Sequence, residues 1–483
     1  MRTVRTSVFV VAVLCPILLA FPASAGSGNA KGPSLEGPWV GALKVSPTDS
    51  LRIVFNIRAN PDGSFSGTLD SPDQGATGIA ISRIAVEKEQ VKVEVSVIGG
   101  GFEGTLSADG SEMSGQWKQG GAALDVVMKR VKEAPKVLRP QEPKKPYPYI
   151  DEEVTYQNTK VGFTLAGTLT MPRTGQPFPA VVLITGSGSQ DRDESVFGHR
   201  PFLVLSDYLT RRGIAVLRVD DRGVGGSKGD AAQATSEDFA QDVLAGVEYL
   251  KTRKEIDRKR IGLIGHSEGG SVAPLVAAQS PDVAFIVLMA GTGVPGDVIL
   301  ERQIENLLKA GGADQALIDR ALKSQRRVVD VAMHEADPNV AKEKIRSIIG
   351  EFMASLEDKQ KGAMKYSDDM VSAQASMATS KWLRYFITHD PKVTLRKVKC
   401  PVLALNGELD KQVPVKDNLP AIEQALREGG NTHFVVKELP GLNHLFQTAQ
   451  TGNIDEYAKI EETIAPVALE TMAQWIEAQT RQK

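Results

Sequence analysis

Ser267 stands in IGLIGHSEGGSVAPL, residues 261–275, with Gly265 two positions before it and Gly269 two after. A serine hydroxyl at its free pKa is a weak nucleophile. It reacts when a base takes its proton and donors receive the charge that develops on its target. The local sequence suits such a role: an apolar strand, RIGLIGH, runs directly into a helix rich in small residues. A sharp strand–turn–helix bend strains its central residue, and Gly265, Gly269 and Gly270 let strand and helix approach each other. The bend lifts the hydroxyl above the sheet edge. It also sets the Glu268 N–H at a helix N-terminus, where it can donate to an oxyanion. The same five-residue pattern recurs around Ser227 in GVGGSKG. That serine lies past its strand and well before the next helix, so it reads as a loop residue.

The base is sought among six histidines, His199, His266, His334, His389, His433 and His444. His266 adjoins Ser267 on a bend, and its side chain is expected to point away. His334 falls inside a helix, His389 marks a helix end, and His433 begins a strand at the wrong edge of the sheet. His444, in ELPGLNHLF, follows the carboxyl end of the strand HFVVKEL, the edge where open α/β sheets keep their ligand sites. A carboxylate must then fix the tautomer of that imidazole. Asp410 closes PVLALNGELD, again past the carboxyl end of a strand, and Glu408 is the alternative.

A second oxyanion donor belongs in the turn after the earliest parallel strand, LITGSGSQDRDE, where glycines let the backbone come close to a substrate oxygen. By position the N–H of Ser187 or Gly188 fits. The same loop lacks the lysine–serine ending of a phosphate-binding loop and a full dinucleotide fingerprint. No cofactor is expected, and no cluster has metal-ligand spacing. DDRGVGGS, Asp220 to Ser227, reads as a charged turn in which Arg222 pairs a carboxylate.

The elements that must carry these residues follow from rhythm. From residue 180 apolar strands alternate with amphipathic helices, which implies a mostly parallel sheet covered on both faces. Ser236 can cap the helix SEDFAQDVLAGVEYLKTR. Between IVLMAG and PVLALNG about a hundred residues break the alternation with amphipathic helices, a cap at about 295–390. Its methionines, Met353, Met364, Met370 and Met377, read as core, or as an apolar wall if they face the site. Residues 34–132 are short β-rich runs between turns, a small barrel or sandwich. Residues 133–149, rich in proline and charge, read as an extended linker, and 150–180 opens the second domain with antiparallel strands.

The first 25 residues have a basic start, an apolar middle and ASA before Gly26, the pattern of a secretory signal peptide. Export to the periplasm or the medium is expected, with no membrane span left after cleavage. Cys400 would then be the sole cysteine, so no internal disulfide forms. A formal charge of −2 with 24% charged residues gives no basic surplus for nucleic acid.

GSGSQDRDE, DDRGVGGS, GHSEGG, GELDKQVP and PGLNHLF together resemble bacterial α/β-hydrolase esterases, over residues 150–483. The order Ser267, Asp410, His444 is also that of the α/β-hydrolase triad. The resemblance implies ester hydrolysis through an acyl-enzyme on a small-molecule ester, with those three residues as the triad. The β-rich N-terminal part resembles accessory domains found before such hydrolases. Relatives include peptidases, so a serine peptidase with the same triad is an alternative, with Glu301, Arg302 and Glu305 holding a peptide terminus. An envelope-binding protein with an inactive hydrolase domain is another. The oligomeric state is not legible.

Overall fold

The computed structural model describes residues 34–45, 50–120, 122–134, 138–357, 360–361 and 368–481. Residues 1–25, where a signal peptide is expected, and Met364 lie outside the described residues. Among the described residues, β1 (Gly37–Lys44), β2 (Ser50–Ala59), β3 (Phe65–Ser71), β4 (Ala76–Ala80), β5 (Arg83–Glu87), β6 (Gln90–Val95), β7 (Gly100–Leu106), β8 (Glu112–Gln119) and β9 (Ala122–Arg130) form one antiparallel sheet in the order β4-β3-β2-β1-β9-β8-β7-β6-β5. One face encloses a core built on Trp39, Phe55, Phe102 and Trp117. Alternating burial along these strands is what a sheet with one wet face requires.

A second sheet holds β10 (Ile150–Asn158), β11 (Phe163–Met171), β12 (Phe178–Ile184), β13 (Ala215–Val219), β14 (Ile256–His266), β15 (Phe285–Met289), β16 (Val402–Gly407) and β17 (Phe434–Leu439). Their spatial order is β10-β11-β13-β12-β14-β15-β16-β17. β11 pairs antiparallel with both β10 and β13, and every later pairing is parallel. The central strands are buried along both faces, which is why they read as unbroken apolar runs. Helices Ser236–Thr252, Gly269–Ala277 and Val415–Glu428 cover one face, packing Val247, Val272 and Ile422 on Val182, Leu263 and Ala404. Helices Pro201–Arg211 and Pro466–Thr480 cover the other, where Leu209 and Met472 meet Val181 and Val287. This is the α/β-hydrolase fold.

Between β15 and β16 lie the cap helices Gly296–Ala310, Gln315–His334, Pro338–Ala354, Asp368–Ala378 and Lys381–Thr388. They carry their own small cores, one of which buries Met353 with Leu317 and Ile318, while Met377 is exposed. Met353 therefore serves the cap interior rather than an acyl wall.

Two expectations need correction. The helix Ser236–Thr252 is capped by Thr235, through a reciprocal box with Asp238, because Ser236 already has helical geometry and its hydroxyl is directed elsewhere. The segment before β10 is no free linker either. Arg139 donates to the carbonyls of Phe197, Gly198, Ala458 and Ile460, and Gln141 to that of Ile464. Its prolines keep it out of regular structure, but its polar side chains strap it along the second sheet's domain. Among the described residues, no helix is long and apolar enough to cross a membrane.

Candidate active site

Ser267 follows the last residue of β14 and has φ +54, in the left-handed region that a non-glycine residue enters at a cost. Its N–H donates to Met289 O at 2.8 Å, which holds the bend against β15. The flanking glycines are required by contact. A Cβ on Gly265 would lie 2.0 Å from Gly269 O, and one on Gly269 would lie 2.2 Å from Ile184 O. Strand, turn and helix therefore close only without side chains there.

Asp410 and His444 sit in the loops after β16 and β17. His444 Nδ1 lies 2.8 Å from Asp410 Oδ2, and both side chains are buried. Asp410 Oδ1 accepts from the N–H groups of Gln412 and Val413, each at 2.8 Å. Glu408, the alternative acid, instead accepts from Gly441 N–H at the loop surface. Among the described residues the Ser267 hydroxyl makes no hydrogen bond, so the serine–imidazole contact is open in this structure. Such contacts commonly tighten only with substrate bound.

The turn after β12 passes beside the serine: a Cβ on Gly186 would stand 3.4 Å from Ser267 Cβ. Two carboxylates, the buried Glu194 and the half-buried Asp221, pin this turn. Glu194 Oε1 accepts from Gly186 N–H at 2.8 Å, while Asp221 accepts from Thr185 Oγ1 and Gln190 N–H, also at 2.8 Å. Burial pushes the Asp221 carboxyl up to about 8 against the pull of those donors. The N–H groups of Ser187 and Glu268 donate to no other described residue and remain available to an oxyanion.

The Glu268 side chain points away from that role. Its Oε1 accepts from Ser236 Oγ at 2.6 Å and from Trp382 Nε1 of the cap at 2.8 Å. Oε2 is buried without a partner, and burial raises the carboxyl.

His266 corrects the expectation of a ring directed away from the site. Its ring lies 4.9 Å from that of His444, with Nδ1 2.9 Å from Glu194 Oε1 and Nε2 3.0 Å from His444 O. The other histidines stay apart from the site. His199 is buried between Thr463 and Tyr457, His334 is exposed on the cap, and His389 caps a helix end beside Tyr385. Ser227 is a buried loop residue bonded to Asp220 O and Ala166 N–H, and Arg222 pairs Asp242. Cys400 is free and half-buried, with its thiol pushed up to about 12 by burial.

Glu194, His266 and Asp221 escaped sequence reasoning as site residues. The clue was the density of charge in GSGSQDRDE and DDRG, next to strand ends that must be covered.

The sequence pattern of the X-Pro dipeptidyl-peptidase (S15) family matches residues 135–438, more than half of the chain. The chain belongs to the S15 family. It is 25% identical over 298 residues to Esterase EstD of Thermotoga maritima, covering 62% of this chain and 61% of that esterase. It is 27% identical over 170 residues to an uncharacterised protein of Pseudomonas aeruginosa, covering 33% of this chain and 44% of that one. The chain thus spans less than two thirds of both relatives. Among solved structures, it is similar to the α/β hydrolase GrgF from a Penicillium species, with 18% identity and TM-score 0.41, covering 69% of this chain and 99% of the other. A Pyrococcus furiosus esterase gives 15% identity and TM-score 0.41, with 72% and 100% covered. This S15 chain has the α/β-hydrolase fold and is similar to an esterase in sequence.

Proposed function

We propose that this is an exported serine carboxylesterase working through an acyl-enzyme on Ser267. The observation that carries the reading is the buried His444–Asp410 pair at 2.8 Å, at the same sheet edge as a serine held at positive φ. Asp410 anchors Nδ1–H of the imidazole, which leaves Nε2 as the base. That nitrogen takes the Ser267 proton while Oγ attacks the ester carbonyl. The oxyanion forms between the N–H of Glu268 and that of Ser187 or Gly188. The imidazolium then returns its proton to the departing alcohol, and water repeats the sequence on the acyl-enzyme. No step calls for a cofactor. Export rests on the basic and apolar opening of residues 1–25.

Membership of the S15 family favours one second reading, a serine peptidase with the same machinery. Glu301, Arg302 and Glu305 give it little support as a peptide-terminus site. Glu301 pairs Arg326, Arg302 pairs Asp417, and Glu305 pairs Lys309, so their charges are already matched.

The test is labelling of the purified chain with a fluorophosphonate, followed by peptide mapping. Phosphonylation of Ser267, lost in His444→Ala, is expected. Label elsewhere, or none on folded protein, would overturn the assignment. Comparing p-nitrophenyl esters with X-Pro p-nitroanilides then separates the two readings: hydrolysis of the anilides with the higher kcat/KM would favour the peptidase.

A further inference from the structure

Glu194 takes no part in the reaction just described, yet it is 2% exposed and held at φ +54. Its Oε1 accepts from Gly186 N–H and faces His266 Nδ1, whose partner nitrogen Nε2 faces the His444 carbonyl. A carbonyl oxygen can only accept, so Nε2 carries a hydrogen. Between Oε1 and Nδ1 a second proton must lie, because two bare lone pairs would repel at 2.9 Å. One carboxylate oxygen and one ring therefore tie together the oxyanion turn, the residue before Ser267 and the main chain of His444.

We propose that Glu194 and His266 are positioning residues, a buried carboxylate–imidazole pair that holds the oxyanion turn and the backbone of His444 in register behind Ser267. The proposal rests on the reading of Ser267 and His444 given above. The groups facing His266 are Glu194 from the turn after β12, the His444 ring and Phe446 from the loop after β17, and Asp410 from the loop after β16. Burial alone would strip the ring of its charge, but the charge and hydrogen bond of Glu194 outweigh it and raise the imidazole.

Hydrogen-bond arithmetic supplies the test. Glu194→Gln keeps the shape but brings a neutral amide, and a neutral imidazole has only one N–H. If Gln turns its oxygen to Gly186, one ring nitrogen faces an acceptor without a proton. If it turns its NH2 group to His266, Gly186 N–H faces a donor. One of the three bonds is lost either way. For Glu194→Gln, kcat on p-nitrophenyl acetate is expected to fall about tenfold or more, with KM within about threefold. The rate of Ser267 phosphonylation should fall in parallel. A side chain that only fills space would not register an isosteric change, so wild-type kcat in this variant would overturn the proposal.

A second measurement uses the unmodified chain. With 15N-labelled histidine, the His266 ring, assigned by its loss in His266→Gln, is expected to keep a low-field Nδ1 proton above about pH 8, where a free imidazole is neutral. A His266 ring that has lost this proton there would overturn the pairing even if Glu194→Gln fails to fold. Failure of the wild-type chain to label at Ser267 would instead strike the proposed reaction and leave the ring measurement intact.

Discussion

Asp410 accepts three hydrogen bonds on two oxygens, and that arithmetic sets the tautomer of His444. Two backbone N–H groups occupy Oδ1, so Oδ2 is left for the imidazole, which must present Nδ1–H to it. Asp410→Asn can keep those backbone bonds, but its NH2 then faces Nδ1. The ring is driven to the tautomer with a proton on Nε2, where it cannot act as a base. Steady-state hydrolysis of p-nitrophenyl acetate should show kcat down about 10³–10⁴-fold with the thermal midpoint little changed. Ser267→Ala should abolish turnover and phosphonate labelling without unfolding the chain, and mass spectrometry of labelled protein checks it. Wild-type-like turnover in either variant would move the chemistry elsewhere.

At the scale of elements, the cap reaches the elbow by a hydrogen bond: Trp382 Nε1, in the helix Lys381–Thr388, donates to Glu268 Oε1. The carboxylate is buried, and its Oε1 is held by that donor and by Ser236. Trp382→Phe keeps most of the packing against Phe386 but removes the donor. A cost of about 1–3 kcal/mol is expected, read as a lower urea midpoint. The strands and cap helices were legible in the sequence because periodicity is local: buried parallel strands are continuously apolar, and cap helices repeat their apolar stripe. The positions of Ser267, Asp410 and His444 past strand ends were legible for a related reason, since each follows a recognisable apolar run. Glu194 and His266 were not. They meet across 72 residues of chain, and His266 meets His444 O across 178, so no local pattern announces either contact. The strap at Arg139 escaped for the opposite reason. Proline and charge do signal irregular chain, but say nothing of the carbonyls that such a chain can bind.

At the scale of the whole molecule, the same strap ties together two loops distant in sequence, and a contribution to acid stability follows from what lies beneath it. Arg139 holds Phe197, Gly198, Ala458 and Ile460, and His199 lies under that junction with Nε2 on Tyr457 O and Nδ1 on Thr463 Oγ1. The Gln447 amide nitrogen lies 2.9 Å from the same Nε2, so the ring meets a carbonyl, an amide and a hydroxyl, partners that do not require a charged imidazole. Burial, reinforced by the Arg139 charge, pulls the imidazole down to about 4. In the unfolded chain a histidine takes its proton near pH 6.5, so between about 6.5 and 4 the unfolded state binds more protons than the folded one. Stability must therefore fall as pH drops through that window, by about 3 kcal/mol at most from this group. His199→Gln can still donate to Tyr457 O but cannot take up a proton. Urea unfolding at pH 7, 6 and 5 should show the wild-type chain losing stability faster than this variant over that range. Parallel slopes would mean that His199 is already charged in the folded chain, with Nδ1–H donated to the Thr463 hydroxyl.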